Sequence, residues 1–223
     1  MSSIRENIES LRSKIPAGVE LVAVSKFHPV ERLREAYYAG QRVFGENRVQ
    51  ELVAKCPLMP ADVQWHFIGH LQKNKVRALV PHVSMIESVD SVKLLRRIDS
   101  EAQRIGRKIR VLLQLHVAQE PTKSGFLPSE LLHAARNGEL NGLQWVEICG
   151  VMTMATFTYA TATIEREFEH AHLVFEHLRA TTFAGDDRFA CLSMGMSHDW
   201  PLAVKHGSNI VRIGSSIFGL REY

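Results

Sequence analysis

The sequence predicts an α/β protein: a single (β/α)8 barrel preceded by one extra helix. Three observations predict it. Short apolar runs alternate with amphipathic stretches from Leu21 onward, the alternation repeats eight times, and no linker, low-complexity tract or other internal repeat interrupts it. Strands that alternate with helices pair in parallel, and eight units in about 200 residues fit a closed barrel near its lower size limit. An open doubly wound sheet is the other arrangement of the same units.

The elements follow in order. Ile4, Ile8, Leu11 and Ile15 recur on one helical face and Ser3 with Glu6 has the spacing of a capping box, so residues 1–18 are expected to hold a helix ahead of a barrel over 19–223. In the first unit "LVAVS" precedes "VERLREAYYAG"; in the second "RVFGE" precedes "NRVQELVAK". "VQWHFIG" then leads into "LQKNKVRALV", and "VSMIES" into "SVKLLRRIDSEAQRIG". "IRVLLQLHV" precedes "PSELLHAARNG", and "VEICGVMTM" precedes a long helix carried by Ile164, Phe168, Ala171, Phe175 and Leu178. "RFACLSM" leads to a short helix around "DWPLAVKHG", and "NIVRIGS" to a last turn at "SIFGL". Val92, Leu95, Ile98, Ala102 and Ile105 share a helical face, and Gly40, Gly106 and Gly138 stand where helix C-caps belong.

Composition narrows the function. Of the 223 residues 45% are hydrophobic and 23% charged, an ordinary globular balance, and the net charge of +3 is spread along the chain rather than gathered in a basic block. That spread predicts no nucleic-acid footprint. No stretch reaches the length of a membrane span and the first residues lack the apolar core of a signal peptide, so no membrane association is expected. Cys56, Cys149 and Cys191 show no CxxC spacing, which fits reduced thiols in the cytoplasm. A monomer is expected.

The chemistry starts at Lys26. "LVAV" reads as a buried strand, and the lysine emerges at its carboxyl end. One reading is a side chain that packs its stem on the core and reaches water with its ammonium. In a closed barrel, however, the first and last strands are neighbours and ligand groups project from the strands' carboxyl ends. The last strand ends in "VRIGSS", where Gly214 allows close backbone approach and Ser215 and Ser216 open a short helix whose amides suit a phosphate. The seventh unit adds "LSMGMS", with Ser193, Gly195 and Ser197, and the loops after strands seven and eight are this fold's recurrent phosphate site. Taken singly, Gly214 reads as a turn glycine, Ser215 as an N-cap and Arg212 as a surface cation. Together with an amine one strand away they suit a Schiff base with a phosphorylated aldehyde or sugar. Pyridoxal 5′-phosphate and a class I aldolase substrate both meet that description. His66 and His70 have the spacing of a helical metal pair but straddle a strand end without an HExxH glutamate, so no metal is expected. His198 and Asp199 read as a capped turn rather than as acid–base groups.

The runs "LVAVSK", "FGENRVQE", "WHFIGHLQKNK", "KSGF", "GVMTM", "LSMGMSHDW" and "VRIGSSIFG" together resemble the pyridoxal-phosphate homeostasis proteins, relatives of the TIM-barrel N-terminal domain of alanine racemase. The resemblance implies that Lys26 carries the cofactor as an internal aldimine. It implies that Arg212 meets the pyridine nitrogen, that Gly214 and Ser215 give amides to the phosphate, and that Ser197 is a second phosphate contact. Asn47 matches an asparagine near the cofactor, although by itself it reads equally well as a helix N-cap. His28 and His70 depart from residues common in the family. The implied function is carriage of pyridoxal phosphate in vitamin B6 homeostasis, with transient pyridoxal-phosphate-requiring apoenzymes as partners and no substrate turnover. A racemase-like enzyme is the alternative, although two-base racemisation draws on a second domain that the sequence is not expected to contain.

Overall fold

Eight runs of apolar residues with almost no position fit to face water become the eight parallel strands of a closed barrel in the computed structural model, which describes residues 3–118 and 124–219. The strands are β1 (Glu20–Val24), β2 (Val43–Glu46), β3 (Gln64–Phe67), β4 (Met85–Val89), β5 (Ile109–Leu115), β6 (Val146–Thr153), β7 (Cys191–Ser193) and β8 (Ile210–Ile213). They lie in sequence order, and β1 closes on β8 with Glu20 beside Ile210 and Ala23 beside Ile213. Alternation along each strand sorts its side chains. Leu21 and Ala23 join the large core beneath the helices, whereas Val22 packs inside the barrel with Val43, Met85, Leu112, Met152 and Ile210. Both faces are buried along most of each strand, which is why most strand positions are apolar.

The helices are α1 (Ile4–Arg12), α2 (Val30–Tyr38), α3 (Val49–Lys55), α4 (Val76–Leu79), α5 (Val92–Arg104), α6 (Pro128–Arg136), α7 (Thr161–Ala180), α8 (Trp200–Lys205) and α9 (Ser215–Phe218). The capping box at Ser3 and Glu6 starts α1, whose Ile4, Ile8 and Leu11 are buried. The helix ends at Arg12, earlier than its apolar spacing predicts, and Ile15 is buried from the following turn instead. On α7 the five residues with helical spacing are all buried. Each such aliphatic or aromatic side chain contributes about 1.5–3 kcal/mol of transfer free energy. Two expectations change. Ile105 is 43% exposed because it is the C-cap of α5, where the chain leaves the core face. The helix expected over 71–80 is a 3-10 turn at Lys73–Lys75 followed by the single turn of α4.

The two ends of the described chain meet beside the seam. Asn7 of α1 donates to the Ile217 carbonyl of α9 at 2.9 Å, and Arg32 of α2 donates to the Phe218 carbonyl at 2.7 Å. Lys123 of "KSGF" and Leu220 of "SIFGL" lie outside the described residues. Among the described residues no helix is long and apolar enough to cross a membrane.

Candidate functional site

Lys26 follows β1 by two residues, so alternation turns it to the barrel mouth together with Val24. The residues on either side of it are fastened to α3 and β2. The Ser25 hydroxyl donates to Glu46 Oε1 at 2.7 Å, and the Ser25 carbonyl accepts from Lys55 Nζ at 3.0 Å. Lys55 also reaches Glu46 Oε1 at 2.7 Å and Glu51 Oε2 at 3.2 Å, and the Phe27 N–H donates to that same Glu51 oxygen at 2.9 Å. This grip holds an unfavourable backbone: Phe27 sits at φ +67°, a conformation costing on the order of 1–3 kcal/mol for a bulky residue. Burial pushes the Glu46 carboxyl above its ordinary value even against Lys55. Burial acts the same way on Glu51, but the Phe27 N–H, Lys55 and Arg48 outweigh it and hold Glu51 low.

A cavity of about 580 Å³ opens at the carboxyl ends of the strands, and Lys26, Asn47, Ser197, Arg212, Gly214 and Ser215 all line it. Across the seam from Lys26, the Gly214 N–H donates to Ser197 Oγ at 3.3 Å and so joins the loops after β7 and β8. Gly214 runs close along β1: a Cβ there would stand 3.2 Å from the Val24 carbonyl oxygen. On the β2 side of Lys26, Asn47 also lines the cavity, and its Oδ1 is buried with no hydrogen-bond partner among the described residues. Arg48 is the N-cap of α3, so Asn47 does not cap that helix. A smaller cavity, about 320 Å³, opens at the other end of the barrel near Arg12 and Arg42, and none of the candidate ligand-binding residues lines it.

Beneath the cavity floor the barrel interior is charged. Arg212 is 3% exposed; its Nη2 donates to the Thr153 carbonyl at 2.7 Å and its Nη1 to Ser193 Oγ at 2.5 Å. Ser193 Oγ in turn donates to Glu87 Oε2 at 2.6 Å, and His66 Nδ1 lies 2.7 Å from Glu87 Oε1. Burial would raise the Glu87 carboxyl, but His66, Arg212 and Ser193 overcome it and hold it below its ordinary value. With the carboxylate ionised, the His66 proton belongs on Nδ1. Burial lowers the Arg212 guanidinium, with Glu87 and Asp199 opposing.

The family model described as alanine racemase, N-terminal domain, matches residues 1–222. The chain belongs to this family. Within it, the chain is 40% identical over 229 residues to the pyridoxal phosphate homeostasis protein of Schizosaccharomyces pombe, covering 99% of this chain and 94% of that one. It also superposes on PipY of Synechococcus elongatus, 42% identical, over 97% of this chain and all of PipY. The TM-score is 0.91 for the PipY structure without pyridoxal phosphate and 0.88 for the one with it bound. Alanine racemase from Clostridium difficile, 16% identical with a TM-score of 0.78, covers 99% of this chain and 57% of its own; it shares the fold.

For this member of the family, six of the seven site residues singled out in the sequence meet at one cavity. Ser193 is the exception. The sequence reading puts it in the phosphate loop, whereas it is the last residue of β7, fully buried, and bonded to Arg212 and Glu87 below the cavity. Glu87 is the residue that the sequence reading passes over, and His66, weighed there only as a metal ligand, is its partner instead. The available signal was a charge within "MIESV", a strand buried along its whole length. His66 and His70 part company: His66 turns into the barrel, and His70, 59% exposed, pairs with Asp90 at 3.2 Å. Asp199 Oδ1 accepts the Met196 N–H at 2.5 Å, closing the turn ahead of α8. Because the folded-state pKa of Glu87 is depressed, its ionisation contributes stability that is present above the ordinary carboxylate range and lost as pH falls through the folded value. Acid unfolding of Glu87→Gln, followed by circular dichroism, is therefore expected to depend less steeply on pH below about 5 than that of the parent.

Proposed function

We propose that this protein, as a single cytoplasmic domain and a monomer, carries pyridoxal 5′-phosphate as a Schiff base on Lys26, maintains the vitamin B6 pool and turns over no substrate of its own. The observation that supports this reading is the meeting of Lys26 with Ser197, Gly214 and Ser215 across the barrel seam, in one cavity with Arg212. The named function of the S. pombe relative and the pyridoxal phosphate bound in PipY point the same way.

The donor set fits the group. When bound, pyridoxal phosphate supplies an aldehyde that condenses with an amine and releases water. Lys26 would offer the amine, Ser197 and the Ser215 amide would hold the phosphate, and Arg212 would meet the ring nitrogen. Asn47, which lines the same cavity, would stand near the bound ring. A guanidinium at the ring nitrogen keeps that nitrogen unprotonated, so the site holds its occupant better than it stabilises a carbanion.

The test is a spectrum of the purified protein before and after borohydride reduction, the mass of the tryptic peptide containing Lys26, and incubation with L- or D-alanine in deuterium oxide. A visible band, an adduct on Lys26, no inverted amino acid and little α-deuterium exchange are expected. The holo-protein should also yield its cofactor to an excess of a pyridoxal-phosphate-requiring apoenzyme. Lys26-dependent formation of the opposite enantiomer would instead make the protein a single-domain racemase.

A further inference from the structure

We propose that Glu87, seconded by His66, is the positioning residue that aims and charge-balances Arg212 for the cofactor's ring nitrogen. This rests on the reading above, in which Arg212 faces that nitrogen. Three elements build the device: β4 supplies the carboxylate, β3 the imidazole, and β7 the hydroxyl that links them to the guanidinium on β8.

A guanidinium has five N–H donors in a rigid plane. Its two terminal nitrogens each commit one here, Nη1 to Ser193 and Nη2 to the Thr153 carbonyl, and these two bonds fix the plane. The other donors are left for the cavity that Arg212 lines. The charge also has to be balanced, because a buried cation without a counter-ion is costly. Glu87 Oε2 lies 3.7 Å from Nη1 and is fully buried. Among the described residues, its hydrogen bonds run to His66 and Ser193, not to the phosphate side of the cavity or the Lys26 clamp. The carboxylate would serve no purpose in a core that only needed filling, since apolar residues of similar volume do that as well or better. One oxygen of Glu87 takes the Ser193 hydroxyl and the other takes His66, so the anion can neither turn away nor collect a proton from solvent. A charge of this kind, fully bonded and placed one hydroxyl away from a ligand-facing cation, sets where that cation points.

A double-mutant cycle tests the inference. Dissociation constants for pyridoxal phosphate are measured for the parent, Glu87→Gln, Arg212→Met and the double variant, together with the 15N shift of ring-labelled cofactor. Glu87→Gln is expected to weaken binding by about tenfold or more and to move the ring-nitrogen signal. In the Arg212→Met background the same change should have an effect below about twofold, because a residue that acts through Arg212 has nothing left to act on. A binding constant and 15N signal unchanged by Glu87→Gln, or equal effects in both backgrounds, overturn the inference. If Glu87→Gln does not fold, Ser193→Ala is read in its place. It removes only the linking hydroxyl, and an unmoved constant and signal overturn the proposal equally. Borohydride trapping on another lysine overturns the Lys26 reading alone, because the cycle does not depend on which amine is modified.

Discussion

Lys26→Ala is expected to abolish the borohydride-trappable adduct while leaving the barrel folded. Among the described residues that line the cavity, Lys26 is the one lysine. The fold should tolerate the loss because the clamp around the lysine is built from its neighbours. Ser25 is held by Glu46 and Lys55 and Phe27 by Glu51, through bonds that do not involve the Lys26 side chain. Truncating one half-buried side chain at a strand end should cost no more than about 0.5 kcal/mol. Residual, non-covalent pyridoxal phosphate should remain on Ser197, Ser215 and Arg212 and leave on gel filtration. Mass spectrometry of the reduced variant and its thermal unfolding together decide the matter. An adduct that survives moves the Schiff base elsewhere, and a collapsed melting transition makes Lys26 a structural residue.

The largest stability effect is expected at Lys55. Its ammonium is buried between Glu46, Glu51 and the Ser25 carbonyl. Lys55→Met leaves Glu46, which is fully buried and has one oxygen already without a partner, as an uncompensated charge. Breaking a buried pair in this way costs about 3–5 kcal/mol, a large share of the roughly 5–15 kcal/mol that hold a domain folded. The pH dependence identifies the cause. Glu46 is raised above its ordinary value in the folded state, so it binds its proton more tightly there than when unfolded, and its stabilising share is lost as pH rises through the folded value. Removing Lys55 raises that value further. The variant's deficit in urea titrations should therefore be larger at pH 8 than at pH 5, and Lys55→Met combined with Glu46→Gln should recover most of it. A pH-independent deficit would assign the loss to packing.

Legibility in the sequence followed the range of the forces involved. Local signals read correctly: the Ser3 and Glu6 capping box forms, and Gly40, Gly106 and Gly138 follow α2, α5 and α6 with φ of +90°, +63° and +71°. The meeting of Lys26 with Gly214 and Ser215 was legible because barrel closure alone makes β1 and β8 neighbours. Contacts set by strand stagger were not legible. His66 pairs with Met85 in the ladder, yet its ring reaches Glu87 two residues further along, an offset that no periodicity encodes. Ser193 was misplaced for the same reason: β7 ends at that residue, so its side chain falls inside the barrel and the loop begins beyond it. Lys55 escaped notice because a lysine on an amphipathic helix reads as solvated until the facing strand is known to end in Glu46.

The junction of the chain's two ends bears on how the molecule is born. Asn7 and Ile217 are 210 positions apart, and Arg32 and Phe218 are 186 apart, yet both bonds lie beside the seam on which the cavity depends. A nascent chain emerges from the ribosome in order, and early segments begin to fold before late ones exist. Until β8 has been released, β1 is an open edge that presents an amine without an anion cradle. The seam that brings Lys26 beside Gly214 and Ser215 therefore forms only after β8 has been made. A fragment that ends before β8 holds the lysine without the turn that faces it across the seam.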